Sequence, residues 1–340
     1  MPLVSLMFVA VTLPAEAPAT QPVGGPGREA LWSGTFRWRC GPPLIAPADR
    51  PADPCHAIKD PSIVRFDGRW HVFCTIRSRT RTHQIEYLSF PDFDQTARAR
   101  RHVLTCHDGF FCAPQVFYFT PQKRWYLIYQ AVLEQGAGMF PAFSTTTDVS
   151  DPGSWSRPAV LTDRKPEGGR WIDFWVICDR RRAYLFFTSL DGRMWRAQTD
   201  LGQFPRGWSK PELALRGDIF EAAHVYSLKG MKQYLAVIEA QDGGRRYYKA
   251  YLADALEGPW RPLADSRRKP FASPLNVIDS GEHWTDSISH GELLRAGHDE
   301  HLEVDPNHLT FLFQGVSDKD RVGKPYGDIP WRLGLLEAIP

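Results

Sequence analysis

An aromatic-rich strand recurs five times along this chain, and that repeat limits what the chain can fold into more than any other feature. The copies are Arg69-Trp-His-Val-Phe-Cys, Arg124-Trp-Tyr-Leu-Ile-Tyr, Arg182-Ala-Tyr-Leu-Phe-Phe, Gln233-Tyr-Leu-Ala-Val-Ile and His308-Leu-Thr-Phe-Leu-Phe. Anchored on His71, Tyr126, Tyr184, Tyr234 and Leu309, the gaps are 55, 58, 50 and 75 residues. Periods of this size belong to repeat architectures, in which one unit cannot bury its apolar face alone and must pack on its neighbours. Each copy follows a second short apolar strand, and Asp67-Gly68, Pro121-Gln122, Asp179-Arg180 and Lys229-Gly230 supply turn chemistry between the two in the first four units. Further along, a Trp-centred motif recurs at Trp155, Trp208 and Trp260, where it suits the outer edge of a unit. Long amphipathic helical patterns are absent. The pattern predicts an all-β chain folded as a five-bladed β-propeller of four-stranded antiparallel blades.

The length of 340 residues, 43% of them apolar and with 12 Trp and 20 Phe, suffices for a large core. The balance of 41 basic and 39 acidic residues leaves +2, which gives no footprint for nucleic acid or an anionic membrane. Residues 1–19 read as a signal peptide: an apolar run from Leu3 to Leu13 precedes the small-x-small sites Ala15-Glu-Ala17 and Ala17-Pro-Ala19. No basic residue precedes that run. Residues 20–34 read as a Pro/Gly-rich linker, which leaves 35–340 for the propeller. Export to the extracellular space or periplasm is therefore expected. Such a compartment permits disulfides, and the six cysteines allow fifteen pairings. Cys40/Cys55 and Cys106/Cys112 would close short loops, whereas Cys74 and Cys178 lie in apolar strands and read as buried thiols. Cys106-His107 with Cys112 prompts zinc, but the chain has no C-x2-C pair.

In a propeller the innermost strands line one axial channel, so acids at equivalent positions of successive strands converge. Asp60 lies 11 residues before its anchor, Asp173 lies 11 before its own, and Glu221 lies 13 before Tyr234; Ala113 holds the place in the second unit and His290 in the fifth. The three acids are thus expected at one phase of the repeat. Singly, each has an ordinary reading: Asp60 starts a turn before Pro61, Asp173 pairs with an arginine, Glu221 faces water. Together, three carboxylates in one channel repel one another unless chemistry uses them. Glycoside hydrolysis needs such a set, one acid held protonated and one carboxylate ionised on opposite sides of the scissile bond. Trp171 and Tyr326 are candidate platforms for a sugar ring.

The stretches Lys59-Asp-Pro61, Trp171-Ile-Asp-Phe-Trp-Val-Ile177, Phe220-Glu-Ala-Ala-His-Val-Tyr226, Ser289-His-Gly-Glu-Leu293 and Trp331-Arg-Leu-Gly-Leu-Leu336 resemble glycoside hydrolase family 62, the α-L-arabinofuranosidases acting on arabinoxylan. The resemblance runs from Phe36 to the C-terminus. It implies an inverting mechanism with Asp60 as general base, Glu221 as general acid and Asp173 tuning the acid's pKa and orientation. It also implies that Lys59, Trp171 and Tyr326 form the arabinose pocket and that His290 is an axial ligand of a structural calcium ion; the chemistry itself requires no cofactor. The implied substrates are arabinoxylan or arabinan and arabino-xylooligosaccharides, with the enzyme a monomer. A related β-xylosidase or endo-arabinanase, or a non-catalytic carbohydrate-binding propeller, shares much of this pattern. The chain departs from the family at Tyr326-Gly327, where Asn is expected after Tyr, and at Pro274-Leu275-Asn276, where two Asn usually adjoin.

Overall fold

A computed structural model describes residues 25–134, 138–166 and 169–340, and the segment read as a signal peptide lies outside them. Five mainly antiparallel sheets follow one another in chain order. The first blade runs Cys55–Phe66, Arg69–Ser78, Gln84–Phe90 and Arg100–Val103 from the axis outward. The second runs Phe111–Phe119, Arg124–Ala131, Phe140–Thr146 and Ala159–Val160. The third runs Ile172–Cys178, Arg182–Thr188, Arg193–Asp200 and Glu212–Arg216. The fourth has His224–Leu228, Tyr234–Asp242, Arg245–Ala253 and Arg261–Ser266, extended by the short strands Glu303–Val304 and Lys269–Pro270. The fifth begins at the axis with Ser287–Leu293, continues through Thr310–Val316 and Arg332–Ala338, and is completed by Trp38–Cys40 and Val277–Asp279.

The five recurring aromatic strands are the second strands of the five blades, as the repeat predicts. The innermost hairpins close where the backbone can turn: Asp67 and Gly68 both have positive φ, as do Gly243 and Gly244 between the second and third strands of the fourth blade. Two central residues at positive φ make the turn whose twist matches that of a hairpin. Trp155, Trp208 and Trp260 are buried where the chain enters the outer strand of a blade.

The last blade closes the ring with chain from both ends. Trp38–Cys40 pairs antiparallel with Arg332–Ala338. Trp38 is fully buried, donates its indole N–H to the Phe271 carbonyl at 2.5 Å and meets the Phe271 ring edge-on at 5.1 Å.

Two expectations are corrected. The stretch read as a linker contains, from Pro26 to Ser33, a helix with Pro in its first turn and left-handed Gly34 as its C-cap. Ala30 and Leu31 bury against the core and the Gly25 amide donates to Asn307 Oδ1, so composition alone misjudged a docked segment. The local disulfides do not form, and all six cysteines are free. The blades separate the proposed partners: Cys40 lies in the closing strand and Cys55 opens the first blade, while Cys112 faces the axis, accepting from Gln130 Nε2 at 3.2 Å, and Cys106 packs in an aromatic cluster.

Ring closure through Trp38 makes a stability prediction. Trp38→Ala should lower the unfolding free energy by about 3–5 kcal/mol, read from urea unfolding at constant m-value. A loss below about 1 kcal/mol would mean that the ring stays shut without this strand's packing.

Candidate active site

Four of the innermost strands are interrupted near their entry by a bulge, the equivalent residue of the fourth blade, Ala222, lies just ahead of its strand, and these positions build the site. Asp60, Ala113, Asp173 and Ala222 hold φ of 48°, 52°, 56° and 49°. The strand register shifts at the first three of these positions, and between Ser289 and Gly291 in the fifth blade. Non-glycine residues at positive φ are strained, so something must hold them there. A side chain from the preceding blade does so each time, by accepting the bulge amide. The Asp60 amide donates to Gln314 Oε1 at 2.7 Å, Ala113 to Thr75 Oγ1 at 2.9 Å, Asp173 to Gln130 Oε1 at 3.1 Å and His290 to Glu239 Oε2 at 2.6 Å. At the fourth joint the Ala222 amide donates to a carboxylate, Asp173 Oδ2, at 3.1 Å.

This corrects the phase read from sequence. Asp60, Asp173 and His290 occupy the bulge position, whereas Glu221 sits one residue earlier, in step with Lys59 and Cys112. The anchor in the fourth blade was one residue out: Tyr226, four residues past the bulge, pairs with Leu235, as Val64 pairs with His71 in the first blade. All three acids nevertheless line one cavity of about 340 Å³, with Lys59, His83, Phe110, Cys112, Met139, Phe220, Arg246, His290 and Tyr326 among its walls.

Within the cavity, His290 Nδ1 lies 3.5 Å from Asp60 Oδ1 and 3.7 Å from Asp173 Oδ2, spanning the two carboxyls. Lys59 Nζ stands 3.7 Å from Asp60 Oδ2 and donates to the Tyr326 hydroxyl at 3.1 Å. Arg246 Nη1 reaches Glu221 Oε1 at 3.3 Å and Glu239 Oε1 at 2.9 Å, while its guanidinium lies 4.2 Å from the Phe220 ring centroid. Glu239 is fully buried and also accepts from Ser289 Oγ at 3.1 Å.

Sequence reasoning did not single out Arg246, Glu239, Gln130, His83 or Gln314. For Arg246, Glu239, Gln130 and Gln314 the signal was a charged or amide residue inside a second or third strand, whereas His83 lies in the turn just before a third strand. Trp171, expected at the sugar, is instead buried edge-on against Phe174, with its indole N–H on the Met139 carbonyl at 2.9 Å. It supports the cavity wall through Met139 and does not line the cavity itself.

Burial dominates the protonation pattern. It raises the Asp173 carboxyl well above the usual range, with Glu221 and Asp60 adding repulsion. Burial also raises Glu221, against the opposing pull of Arg246 and Lys59. Glu239 is pushed up to about 8 by burial and by Glu221. His290 is driven down to about 3 by burial and by Lys59, so its ring is neutral. Lys59 stays charged because Asp60 offsets the cost of burying it. The site thus stores protons on carboxyl groups beside a fixed cation pair, the arrangement needed to donate a proton to one side of a polar bond and accept one on the other.

The side chains around His290 would supply only part of a calcium shell, and waters would have to complete it. The ion takes six to eight oxygens. Here one neutral imidazole faces two carboxyls, and no group of three or more His, Cys, Asp or Glu among the described residues is arranged to hold a metal. No step below uses one.

Fold and site together define a five-bladed propeller that gathers buried carboxyl groups at its axis. The sequence pattern of glycosyl hydrolase family 62 matches residues 44–337, and the chain belongs to that family. It is 41% identical over 309 residues to alpha-L-arabinofuranosidase C of Cellvibrio japonicus, a match that covers 88% of this chain; the chain spans about half, 47%, of that relative's length. Among solved structures, the catalytic domain of the Coprinopsis cinerea family 62 alpha-L-arabinofuranosidase superposes with a TM-score of 0.83 at 38% identity, covering 90% of this chain and 98% of that one. The Podospora anserina alpha-L-arabinofuranosidase solved with cellotriose gives 0.82 at 35%, covering 90% and 98%. A family 62 hydrolase solved with xylotriose gives 0.83 at 34%, covering 91% and 99%.

Glu239 yields a pH prediction. Its folded pKa, about 8, exceeds the ordinary 4.5, so the stability this group contributes is full below about pH 4.5 and lost as pH rises toward 8. Glu239→Gln should therefore shrink the fall in melting temperature between about pH 5 and about pH 8. An unchanged fall would transfer the effect to another buried acid such as Glu292, which burial pushes up to about 7.

Proposed function

We propose that this protein is an exported, monomeric α-L-arabinofuranosidase that removes single α-L-arabinofuranosyl branches from arabinoxylan, or from arabinan, with inversion at the anomeric carbon. Glu221 carries the reading: burial raises its pKa and so favours its protonated form, while Arg246 fixes one of its oxygens. The relatives named alpha-L-arabinofuranosidase support the sugar released, and the xylotriose complex of a family member supports a xylan backbone on the leaving side.

In this mechanism the arabinose ring sits against Lys59 and Tyr326. Glu221 gives its proton to the glycosidic oxygen as the bond to the anomeric carbon breaks. Asp60 takes a proton from a water whose oxygen attacks that carbon from the opposite face. The products are arabinose of inverted configuration and a backbone hydroxyl, and solvent returns one proton to Glu221 while removing one from Asp60. Asp173, tied to the amide next to Glu221, keeps that residue in place, and repulsion between the two carboxyls favours a state in which at least one of them holds a proton.

Glu221→Gln and Asp60→Asn should each cut the turnover of arabinoxylan by about 10²–10⁴-fold, followed by chromatography of free arabinose, with melting temperatures close to wild type. Proton NMR of the first product should show the inverted anomer. Wild-type turnover in both variants, release of a different sugar, or first appearance of the retained anomer would overturn the assignment.

A further inference from the structure

Gly327, where the family pattern places an asparagine, leaves space that another side chain has taken. A Cβ built on Gly327 would lie 2.4 Å from Arg77 Nη1, so the guanidinium fills the volume of the missing side chain. Arg77 comes from the second strand of the first blade, opposite Ala57, and the neighbouring His56 holds the Gly327 carbonyl through Nε2 at 2.9 Å. This places it beside Tyr326, the residue that receives the Lys59 hydrogen bond. Its charge, with that of Lys59, adds to burial in lowering the pKa of His83 on the cavity wall.

Arg77 differs from the other arginines near the site in lacking a counterion. Arg246 has Glu239 and Glu221, Arg245 has Asp318, Arg267 has Asp242 and Arg81 has Asp53. Among the described residues no hydrogen bond or ion pair holds the Arg77 guanidinium, and its Nε is buried without a partner. A half-buried cation with open donors is costly unless a ligand supplies the missing anion. The planar fork of a guanidinium matches a carboxylate through two parallel hydrogen bonds, whereas neutral hydroxyls would leave its charge uncompensated.

We infer that Arg77 is a specificity-determining residue at the mouth of the cavity and binds the carboxylate of a uronic acid unit carried by the polysaccharide near the arabinose branch. The inference rests on the arabinofuranosidase reading and adds an acidic class of substrate to it.

The test compares two arabino-xylooligosaccharides that differ only in a glucuronic acid branch on a neighbouring xylose, one intact and one with its carboxyl group reduced to the alcohol. The wild-type kcat/KM should favour the acidic one by about tenfold, the worth of one charge-assisted pair. Arg77→Gln should bring that ratio to near unity. Gly327→Asn, whose side chain pushes the flexible Arg77 terminus aside, should do the same from the other partner, and melting curves establish that both variants fold. A wild-type ratio near unity, or a preference that survives both substitutions, overturns the inference. Calorimetry with a glucuronoxylan oligosaccharide lacking arabinose provides a readout independent of cleavage. Binding that weakens with salt and is lost in Arg77→Gln supports the carboxylate site even if no arabinose is released, an outcome that would remove only the arabinofuranosidase reading. Absence of binding together with absence of preference removes the inference.

Discussion

The joints between blades are the interaction on which everything else depends. A propeller blade is a small sheet with little core of its own, so the axis is where the ring must be made rigid. In this chain, four of the five joints pair a bulge amide with a polar side chain from the second strand of the preceding blade: Gln314, Thr75, Gln130 and Glu239. Each bond satisfies a buried donor, and those at Asp60, Ala113 and Asp173 also hold a residue at a positive φ that it would otherwise leave. A second layer lies deeper. Gln115 exchanges two bonds with the Val176 backbone at 2.7 Å, and Ser62 bridges Glu292 and the Val116 amide. The ring is therefore stitched by hydrogen bonds along its axis as well as by apolar faces between its blades.

The electrostatics of the cavity follow from the same scaffold. Asp60, Asp173, Glu221 and Glu239 gather around two cations, Lys59 and Arg246, in a buried space. Repulsion and desolvation at such a place destabilise ionised carboxyls, and the least expensive response is to keep protons on some of them. Glu239 appears in both ledgers: it is the acceptor at the fifth joint and the partner that fixes Arg246 against Glu221. The structural and the chemical demands on the axis are met by the same side chains.

That overlap explains what was and was not legible in the sequence. The blade number, the second strands and the acids were readable because they recur with the repeat. The phase of Glu221 was misread by one residue, since the anchor Tyr234 pairs one step away from the position its counterparts occupy. The joints were not readable, because each is a contact between different blades and involves residue types as unlike as Thr75 and Gln314. The closing strand Trp38–Cys40 gave no repeat signal, being a fragment of a blade whose remainder lies near the other end of the chain. The helix at Pro26–Ser33 was hidden by composition, because Pro and Gly at its two ends serve as a start and a stop.

The fourth joint shows why a catalytic set could arise at this place on the wheel. By the register of the other blades, its acceptor should be Thr188, which pairs with Ile172 as Thr75 pairs with Lys59. The Thr188 hydroxyl is buried and without a partner, and the Ala222 amide is held by Asp173 instead. An inner-strand carboxylate has taken over a second-strand task. The substitution moves the tether from the outer side of the joint to the axis itself, and it anchors the residue next to Glu221 by a group that is also a charge neighbour of Glu221. A threonine acceptor could have held the bulge but not influenced the acid's proton; a free aspartate could have influenced the proton but not held the bulge. With Asp173 in both roles, any shift of the Ala222 segment changes the distance between the two carboxyls, so the geometry of the joint and the protonation of the acid are set together.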